Sequence, residues 1–132
     1  MTTNETTLRR ILAANAALSG LTAAIGLVFA GDVADVLGAG DATIVRIVSA
    51  GLALWALDVL LLSRAPRSWL RRYVGVVIAG DLAWVAATIG LIAAGAFDPA
   101  GIALATAAGA AVAALAAGQW VSSRPQRSVM IP

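Results

Sequence analysis

Two carboxylates, Asp58 and Asp81, stand inside long apolar runs of this chain, and each lies three residues from a tryptophan, Trp55 or Trp84. The runs have the character of membrane spans, where an ionised carboxylate costs about 2.5–3.5 kcal/mol and usually serves a function. A carboxyl group in such a place can exchange a proton, bind a cation or accept hydrogen bonds from neighbouring helices. The indole rings add N–H donors and a surface that attracts cations. The two aspartates are therefore the first residues to consider for chemistry.

Four uses of the two aspartates are compatible with the sequence. They can hold helices together by bonding to Asn15, to Ser19, to an indole N–H or to an arginine such as Arg10 or Arg64. They can form the site of a proton- or cation-coupled carrier. A conducting pore lacks polar lining in the half of the spans far from the arginines. An intramembrane enzyme would have to use these two acids alone, because no nucleophile stands beside a base.

The residue types that are missing exclude much chemistry. The chain has no Cys and no His, and all nine of its cationic residues are Arg. Thiol chemistry, the commonest general base and the commonest metal ligands are therefore absent. Two carboxylates and an asparagine are too few ligands for a tight site for a hard cation. We predict no catalytic residues, no metal and no cofactor. We also expect no nucleic-acid partner, since the arginines border apolar runs and form no basic helix face.

The composition places these residues in a membrane. Hydrophobic residues make up 61% of the 132-residue chain and charged residues 12%, whereas soluble domains carry about 25% charged residues. So short a chain cannot bury this much apolar surface in one core. Apolar runs of about 20 residues, enough to cross roughly 30 Å of hydrocarbon, predict a single all-α domain, an antiparallel bundle of four transmembrane helices. The predicted helices are 7–30, 42–63, 70–96 and 99–122; a short surface helix is compatible with Val33–Leu37, and 123–132 is predicted to be a flexible cytoplasmic tail.

A cleaved signal peptide is the competing interpretation of the first apolar run. Val28–Ala30 fits a small-residue cleavage pattern, and Arg9 with Arg10 loosely matches a twin-arginine leader. The run is longer than the roughly 7–15 residues of a signal core, however, and Glu5 interrupts the basic leader. A retained transmembrane helix is therefore the preferred prediction.

The charged residues separate into two groups once the spans are drawn. Asp32, Asp35, Asp41 and Asp98 fall at one end of the predicted bundle with a single cation, Arg46. Cytoplasmic ends of membrane proteins carry an excess of Arg and Lys. Both termini are therefore predicted to lie in the cytoplasm, with the protein in a bacterial inner membrane, and insertion in both orientations is disfavoured. The cations that define this cytoplasmic end are Arg9, Arg10, Arg64, Arg67, Arg71, Arg72, Arg124 and Arg127.

Helical spacing gathers the polar residues of three spans onto single faces. Counted from the nearest arginines at 1.5 Å per residue, Asn15, Asp58 and Asp81 lie at roughly 8, 9 and 14 Å. All three therefore fall in the half of the bilayer next to the arginines. A bundle that turns these faces inward forms a candidate polar cluster of Asn15, Ser19, Trp55, Asp58, Asp81, Trp84 and Thr88, with Thr22 on the same face as Ser19.

The last span carries a stripe of small residues that permits close helix packing, which matters in lipid because the hydrophobic effect does not drive association there. The stripe can pack inside the bundle, or it can contact a second copy of the chain or a membrane partner. Its members recur every four residues: Gly101, Ala105, Gly109, Ala113 and Ala117.

Short motifs in three spans resemble a group of small uncharacterised four-span membrane proteins of bacteria. They are the segment Ala14–Gly20 in the first span, Arg46 followed by Gly51 and Leu52 in the second, and the segment Ala79–Trp84 in the third. The resemblance covers about Leu8 to Trp120. It implies a four-helix bundle in the cytoplasmic membrane, and it implies no activity.

The function expected from these observations is that of a small integral membrane protein with a structural or accessory role. In this interpretation Asp58 and Asp81 are buried and act as polar contacts between helices. The alternative is a small proton- or cation-coupled transporter that uses the same two aspartates.

Overall fold

The structure is a computed structural model that describes residues 2–125, and this part of the chain forms helices and no strand. The predicted all-α bundle is confirmed, with four helices long and apolar enough to cross a membrane. A fifth, short helix lies between the first two of them. The helices are α1 (Thr3–Val28), α2 (Ala30–Leu37), α3 (Ala42–Arg64), α4 (Arg67–Ala93) and α5 (Pro99–Ser123).

Local sequence signals account for most helix ends. The side chains of Thr2, Asp41 and Asp98 cap α1, α3 and α5 by accepting backbone N–H bonds, as short polar side chains do at helix starts. Gly38 ends α2 at a φ of +68°, a left-handed conformation that glycine adopts without strain. Pro66 separates α3 from α4, as predicted, but α4 already begins at the next residue rather than at 70.

The expected and observed helices differ most at the start of the chain and around α2. The first helix begins at Thr3 and ends at Val28. Phe29 interrupts the helical backbone, so Ala30 belongs to α2 rather than to α1. The short surface helix predicted for Val33–Leu37 therefore begins about one turn earlier, at Ala30. Residues 126–132, which contain Arg127 and most of the predicted tail, lie outside the described part of the chain.

Helices α1 and α3 form the closest pair in the bundle, and small residues let them approach. A Cβ atom on Gly26 of α1 would overlap the side chain of Ser49, and one on Gly20 would touch Ala56 at 3.8 Å. Ser49 and Ala56 are both buried on α3, two turns apart on the same face. This contact fixes the rotation of α3 about its own axis.

The arginine-rich ends of the helices meet around an apolar core. Leu12 and Val59 are fully buried there, and Leu70 is nearly so. Above this core, the Arg9 guanidinium donates to the carbonyl oxygens of Ser63, at 3.0 Å, and Ala65, at 2.7 Å, where α3 ends. A cation is stabilised at this position because carbonyls at the end of a helix carry partial negative charge.

Glu5 links the same end of the molecule through two arginines. Its carboxylate pairs with Arg9 at 3.1 Å within α1 and with Arg67 at 3.4 Å at the start of α4. The acid that interrupts the basic leader in the sequence thus joins the first turn of α1 to the α3–α4 connection. Each pair is partly solvent-exposed and is worth about 1 kcal/mol or less.

At the aspartate-rich end, α2 fills the space between α3 and α5. Ala30 and Ala34 of α2 are buried against Val45 of α3. The carbonyl oxygen of Leu37 accepts from the backbone N–H of Asp98 at 3.3 Å, and the backbone of Leu37 lies against Gly101. The short helix therefore joins this end of α5 to the α1–α3 pair.

The small-residue stripe of α5 packs mostly inside the molecule. Gly101 is buried against α2, and Gly109 is buried with Thr88 of α4 beside it. Ala117, by contrast, is exposed, because a four-residue spacing drifts around a helix of 3.6 residues per turn. The inward line of α5 passes instead through Ala116 and Gln119.

Candidate functional site

Asp81 lies at the centre of the buried polar contacts, on the inward face of α4 and 3% exposed. Its Oδ2 accepts a hydrogen bond from Asn15 Nδ2 of α1 at 2.7 Å and another from Gln119 Nε2 of α5 at 3.2 Å. Both amides are themselves buried, Asn15 at 1% exposure and Gln119 at 0%. One carboxylate oxygen therefore joins three helices.

The hydrogen bonds continue along α1 and toward α3. The hydroxyl of Ser19 donates to Asn15 Oδ1 at 3.2 Å, one turn away on the same buried face. The indole of Trp55 on α3 interacts with the carboxylate of Asp81. The cluster therefore takes one or more side chains from each of the four long helices. One acceptor in it is buried without a partner in the described part of the chain, the Oε1 atom of Gln119.

Trp55 takes its position from a glycine on the facing helix. Its ring lies on Gly80, where any Cβ atom would overlap it. Trp55 also packs against the apolar core at the arginine-rich end. The indole therefore forms a floor between that core and the space above Asp81.

Above this floor lies a cavity of about 520 Å³ between the four long helices. Ser19 and Thr22 line it from α1, Trp55 from α3, and Asp81 and Trp84 from α4. Apolar residues make up the rest of the wall. Among the pairs of long helices that contact each other, α3 and α4 approach least. Exposed lining residues lie on both, so we place the opening between them.

The electrostatic character of the site follows from what surrounds the carboxylate. Its partners are neutral amides and an indole, and within residues 2–125 the ion pairs are made by Glu5 rather than by Asp81. The two arginines predicted as possible partners, Arg10 and Arg64, are exposed, while Arg9 bonds to the end of α3. Asp81 is thus a hydrogen-bonded acid without a counter-cation in the described chain, at the edge of an apolar cavity.

Asp58 does not join this cluster, and the expectation that it is buried is wrong. It is exposed on α3, and within residues 2–125 it makes no hydrogen bond or ion pair. The reason is the rotation of α3: Ala56 faces α1, and a residue two positions on points about 200° away at 3.6 residues per turn. The prediction that Trp55 and Asp58 mark the inward face of α3 is therefore wrong for Asp58, because the buried face of α3 contains Ser49 and Ala56 instead.

The other predicted members fall into two groups. Asn15, Ser19, Trp55 and Asp81 are brought together, as described above. Trp84 is 37% exposed and lines the cavity. Thr88 is half-buried, and its hydroxyl donates to the carbonyl oxygen of Trp84 at 2.9 Å within α4, away from Asp81.

Gln119 is the residue that sequence reasoning missed. It is the amide side chain of an otherwise apolar span, five positions before Arg124. The depth argument applied to Asn15 would have placed it roughly 8 Å from that arginine, level with the predicted cluster. The sequence prediction assigns polar faces to the first three spans and only a stripe of small residues to the fourth.

Comparison with known proteins adds no relative: no family model matches the chain, and neither a curated protein nor a solved structure is significantly similar to it. The resemblance to small four-span bacterial membrane proteins therefore stays a prediction. The candidate site is defined by its own geometry.

Proposed function

We propose that this chain is a small integral membrane protein in which Asp81 acts as a polar contact between helices, in a structural or accessory role. The observation that carries the proposal is the pair of amide hydrogen bonds from α1 and α5 to one oxygen of Asp81. Asp58, which is exposed, has no part in this role. No catalytic step is proposed, because the chain has neither His nor Cys nor Lys.

The physical argument is the cost of breaking these bonds in an apolar environment. Hydrogen bonds between membrane helices are worth about 0.6–1.7 kcal/mol, and a buried polar group left without a partner costs about 1–3 kcal/mol. The backbones of α4 and α1 do not approach each other closely. Beside the shared apolar core and the partly exposed pair of Glu5 with Arg67, the Asn15 bond is a buried polar link between these two helices. The cluster therefore holds the α1–α3 pair and the α4–α5 pair together at one depth.

A double-mutant cycle tests this role. Asn15→Ala, Asp81→Ala and the double variant are unfolded by SDS titration in mixed micelles, and the coupling energy is read from the free energies of unfolding. We expect about 0.6–1.7 kcal/mol for Asn15 with Asp81, and a similar value for Gln119 with Asp81.

Thr22→Ala is the matched control, because the hydroxyl of Thr22 bonds within its own helix, to the carbonyl oxygen of Leu18 at 2.8 Å. Its coupling to Asp81 should lie within about 0.5 kcal/mol of zero. Coupling of Asn15 or Gln119 no larger than this control would refute the structural role.

We further propose a bacterial inner membrane location with both termini in the cytoplasm. The support is the charge asymmetry: the start of α1, the α3–α4 connection and the end of α5 carry arginines, while the opposite connections carry Asp32, Asp35, Asp41 and Asp98. Contacts between Glu5 and Arg67 and between Leu37 and Asp98 keep each set of connections together at one end. Association with a second copy or a partner protein belongs to the accessory role and stays a proposal.

A second candidate function, a proton- or cation-coupled carrier, is favoured by one specific observation. Asp81 not only bonds to the amides but also lines the 520 Å³ cavity between the helices. This volume lies within the roughly 300–1,000 Å³ of small-molecule sites. Of the two aspartates that the sequence offers for a carrier site, Asp81 lines the cavity and Asp58 does not.

A further inference from the structure

We infer that the cavity above Trp55 binds a small lipophilic organic monocation, such as a quaternary ammonium ion, with Asp81 as its counter-charge. The inference rests on the carrier function proposed above, whose substrate class it names. It makes a separate claim, however, because binding can occur with or without transport.

The charge of the residues that line the cavity decides whether the ligand is a cation or an anion. Within residues 2–125, Asp81 is the one charged residue that lines the cavity. An anionic ligand would meet an acid in an apolar surrounding and would have no partner. A cation, in contrast, supplies the counter-charge that Asp81 lacks, and attraction between opposite charges is strong where water is scarce.

The hydrogen-bond geometry leaves the carboxylate able to serve a ligand. Both amide bonds end on Oδ2, so neither amide occupies Oδ1, and the indole of Trp55 is the further group beside the carboxylate. A carboxylate oxygen has two lone pairs, so Oδ1 can face a cation even with the indole beside it. The amides hold the side chain in one orientation and carry no charge of their own. A fixed acceptor of this kind binds a cation without the entropic cost of ordering the carboxylate.

The cavity walls decide the chemical class of the cation. A metal ion such as Ca²⁺ requires six to eight oxygen ligands, and the polar residues of the lining are Ser19, Thr22 and Asp81 beside two indoles. Thr22 already bonds to its own helix. The walls suit the apolar groups of an organic cation instead, and 520 Å³ leaves room for a ring and several methyl groups.

The two tryptophans supply the second kind of contact. Trp55 forms the cavity floor, held in place by Gly80, and Trp84 lies in the wall on the same helix as Asp81, less than one turn away. Indole faces attract ammonium groups by about 0.5–2 kcal/mol. Quaternary ammonium recognition needs this combination of aromatic faces with a nearby negative charge.

The test is calorimetric titration of the full chain in lipid nanodiscs with benzyltrimethylammonium. Its neutral carbon isostere, neopentylbenzene, and the anion benzenesulfonate are the ligand controls. We expect saturable binding of the cation at one site per chain, with affinity at least tenfold above that of the isostere, and no saturable binding of the anion.

Variants separate the contribution of charge from that of the fold. Asp81→Asn should weaken binding of the cation at least tenfold, whereas Asp58→Asn, which removes an acid outside the cavity, should leave it unchanged. Trp84→Leu should weaken binding about threefold or more, and Trp69→Leu, at the exposed start of α4, is its control.

A cavity-filling variant and its control test the site even if Asp81→Asn folds poorly. Gly51 lines the cavity and Gly75 lies outside it, and a Cβ atom on either meets no other atom. Gly51→Leu should abolish binding and Gly75→Leu should not. Equal binding of cation and isostere, or binding unaffected by Gly51→Leu, would overturn the inference.

Uptake into proteoliposomes distinguishes this inference from the carrier function. Accumulation of the bound cation under an imposed proton gradient, lost in Asp81→Asn, supports both. Binding without uptake keeps the site and refutes the carrier. Absence of binding overturns the cation site, while the double-mutant cycle still tests the structural role independently.

Discussion

At the scale of single residues, the two membrane aspartates occupy opposite environments although their sequence surroundings are alike. Asp81 is buried and accepts two amide hydrogen bonds, whereas Asp58 is exposed on the apolar surface of α3. Each stands three residues from a tryptophan. Trp55 of α3 nevertheless packs on Gly80 of α4 and lines the same cavity as Asp81, whereas Asp58 lies outside that cavity. Residue type and spacing therefore identify the candidates, and partners across helices decide their roles.

The contrast predicts different consequences of removing each acid. Asp81→Leu leaves the amides of Asn15 and Gln119 without their acceptor and should lower the free energy of unfolding by about 2–4 kcal/mol. Asp58→Leu should change it by less than about 0.5 kcal/mol, since Asp58 contacts lipid both in the bundle and when the helices separate. SDS titration in mixed micelles measures both. A loss in Asp58→Leu comparable to that in Asp81→Leu would show that Asp58 has a partner in the membrane.

At the scale of helices, small residues determine which pairs approach closely. Gly20 and Gly26 allow α3 to pack closely against α1, and Gly101 allows the end of α2 to pack closely against α5. Where larger residues meet, as at α3 and α4, the helices stand apart and the cavity forms. Because lipid is as apolar as these helices, close packing rather than hydrophobic burial sets their arrangement.

Gly101→Ala tests this packing at the junction of α2 and α5. Its Cβ atom would stand 2.5 Å from the carbonyl oxygen of Leu37, and backbone cannot rotate aside as a side chain can. We expect a loss of about 1–3 kcal/mol in the free energy of unfolding, as for other overpacked sites.

Gly90→Ala is the control, because a Cβ atom on Gly90 of α4 meets nothing within 4 Å. It should be neutral or should stabilise by up to about 1 kcal/mol, since alanine favours helix. The same SDS titration reads both variants. A Gly101→Ala variant as stable as the wild type would mean that α2 does not pack on α5 in the membrane.

At the scale of the whole molecule, the bundle consists of two helix pairs held together at three levels. Glu5 and Arg67 with the apolar core join them at the arginine-rich end, the Asp81 cluster joins them in the middle, and α2 joins them at the aspartate-rich end. The cavity lies between the second and third levels. Its position places Asp81 within reach of a ligand that enters between α3 and α4.

The proposed orientation is tested by cysteine labelling, which is direct because the chain has no native Cys. Ser68 at the start of α4 and Ala96 after its end are both exposed. With both termini in the cytoplasm, Ala96→Cys reacts with an impermeant maleimide added to intact cells, and Ser68→Cys reacts only after permeabilisation. The reverse pattern would contradict the proposed orientation, and labelling of both sites in intact cells would indicate dual insertion.

The sequence by itself determined the four helices apolar enough to span a membrane, the helix breaks at Pro66 and Phe97–Pro99, and the placing of Asn15 and Asp81 in one polar cluster. These properties depend on local composition, on capping residues and on the cost of polar groups in lipid. Three features were decided by the tertiary structure alone. They are the rotation of α3 that exposes Asp58, the position of Gln119 in the cluster, and the cavity. The physical reason is that the hydrophobic effect does not drive helix association in lipid, so the inward face of α3 is chosen by the close contacts of Ser49 and Ala56 with α1.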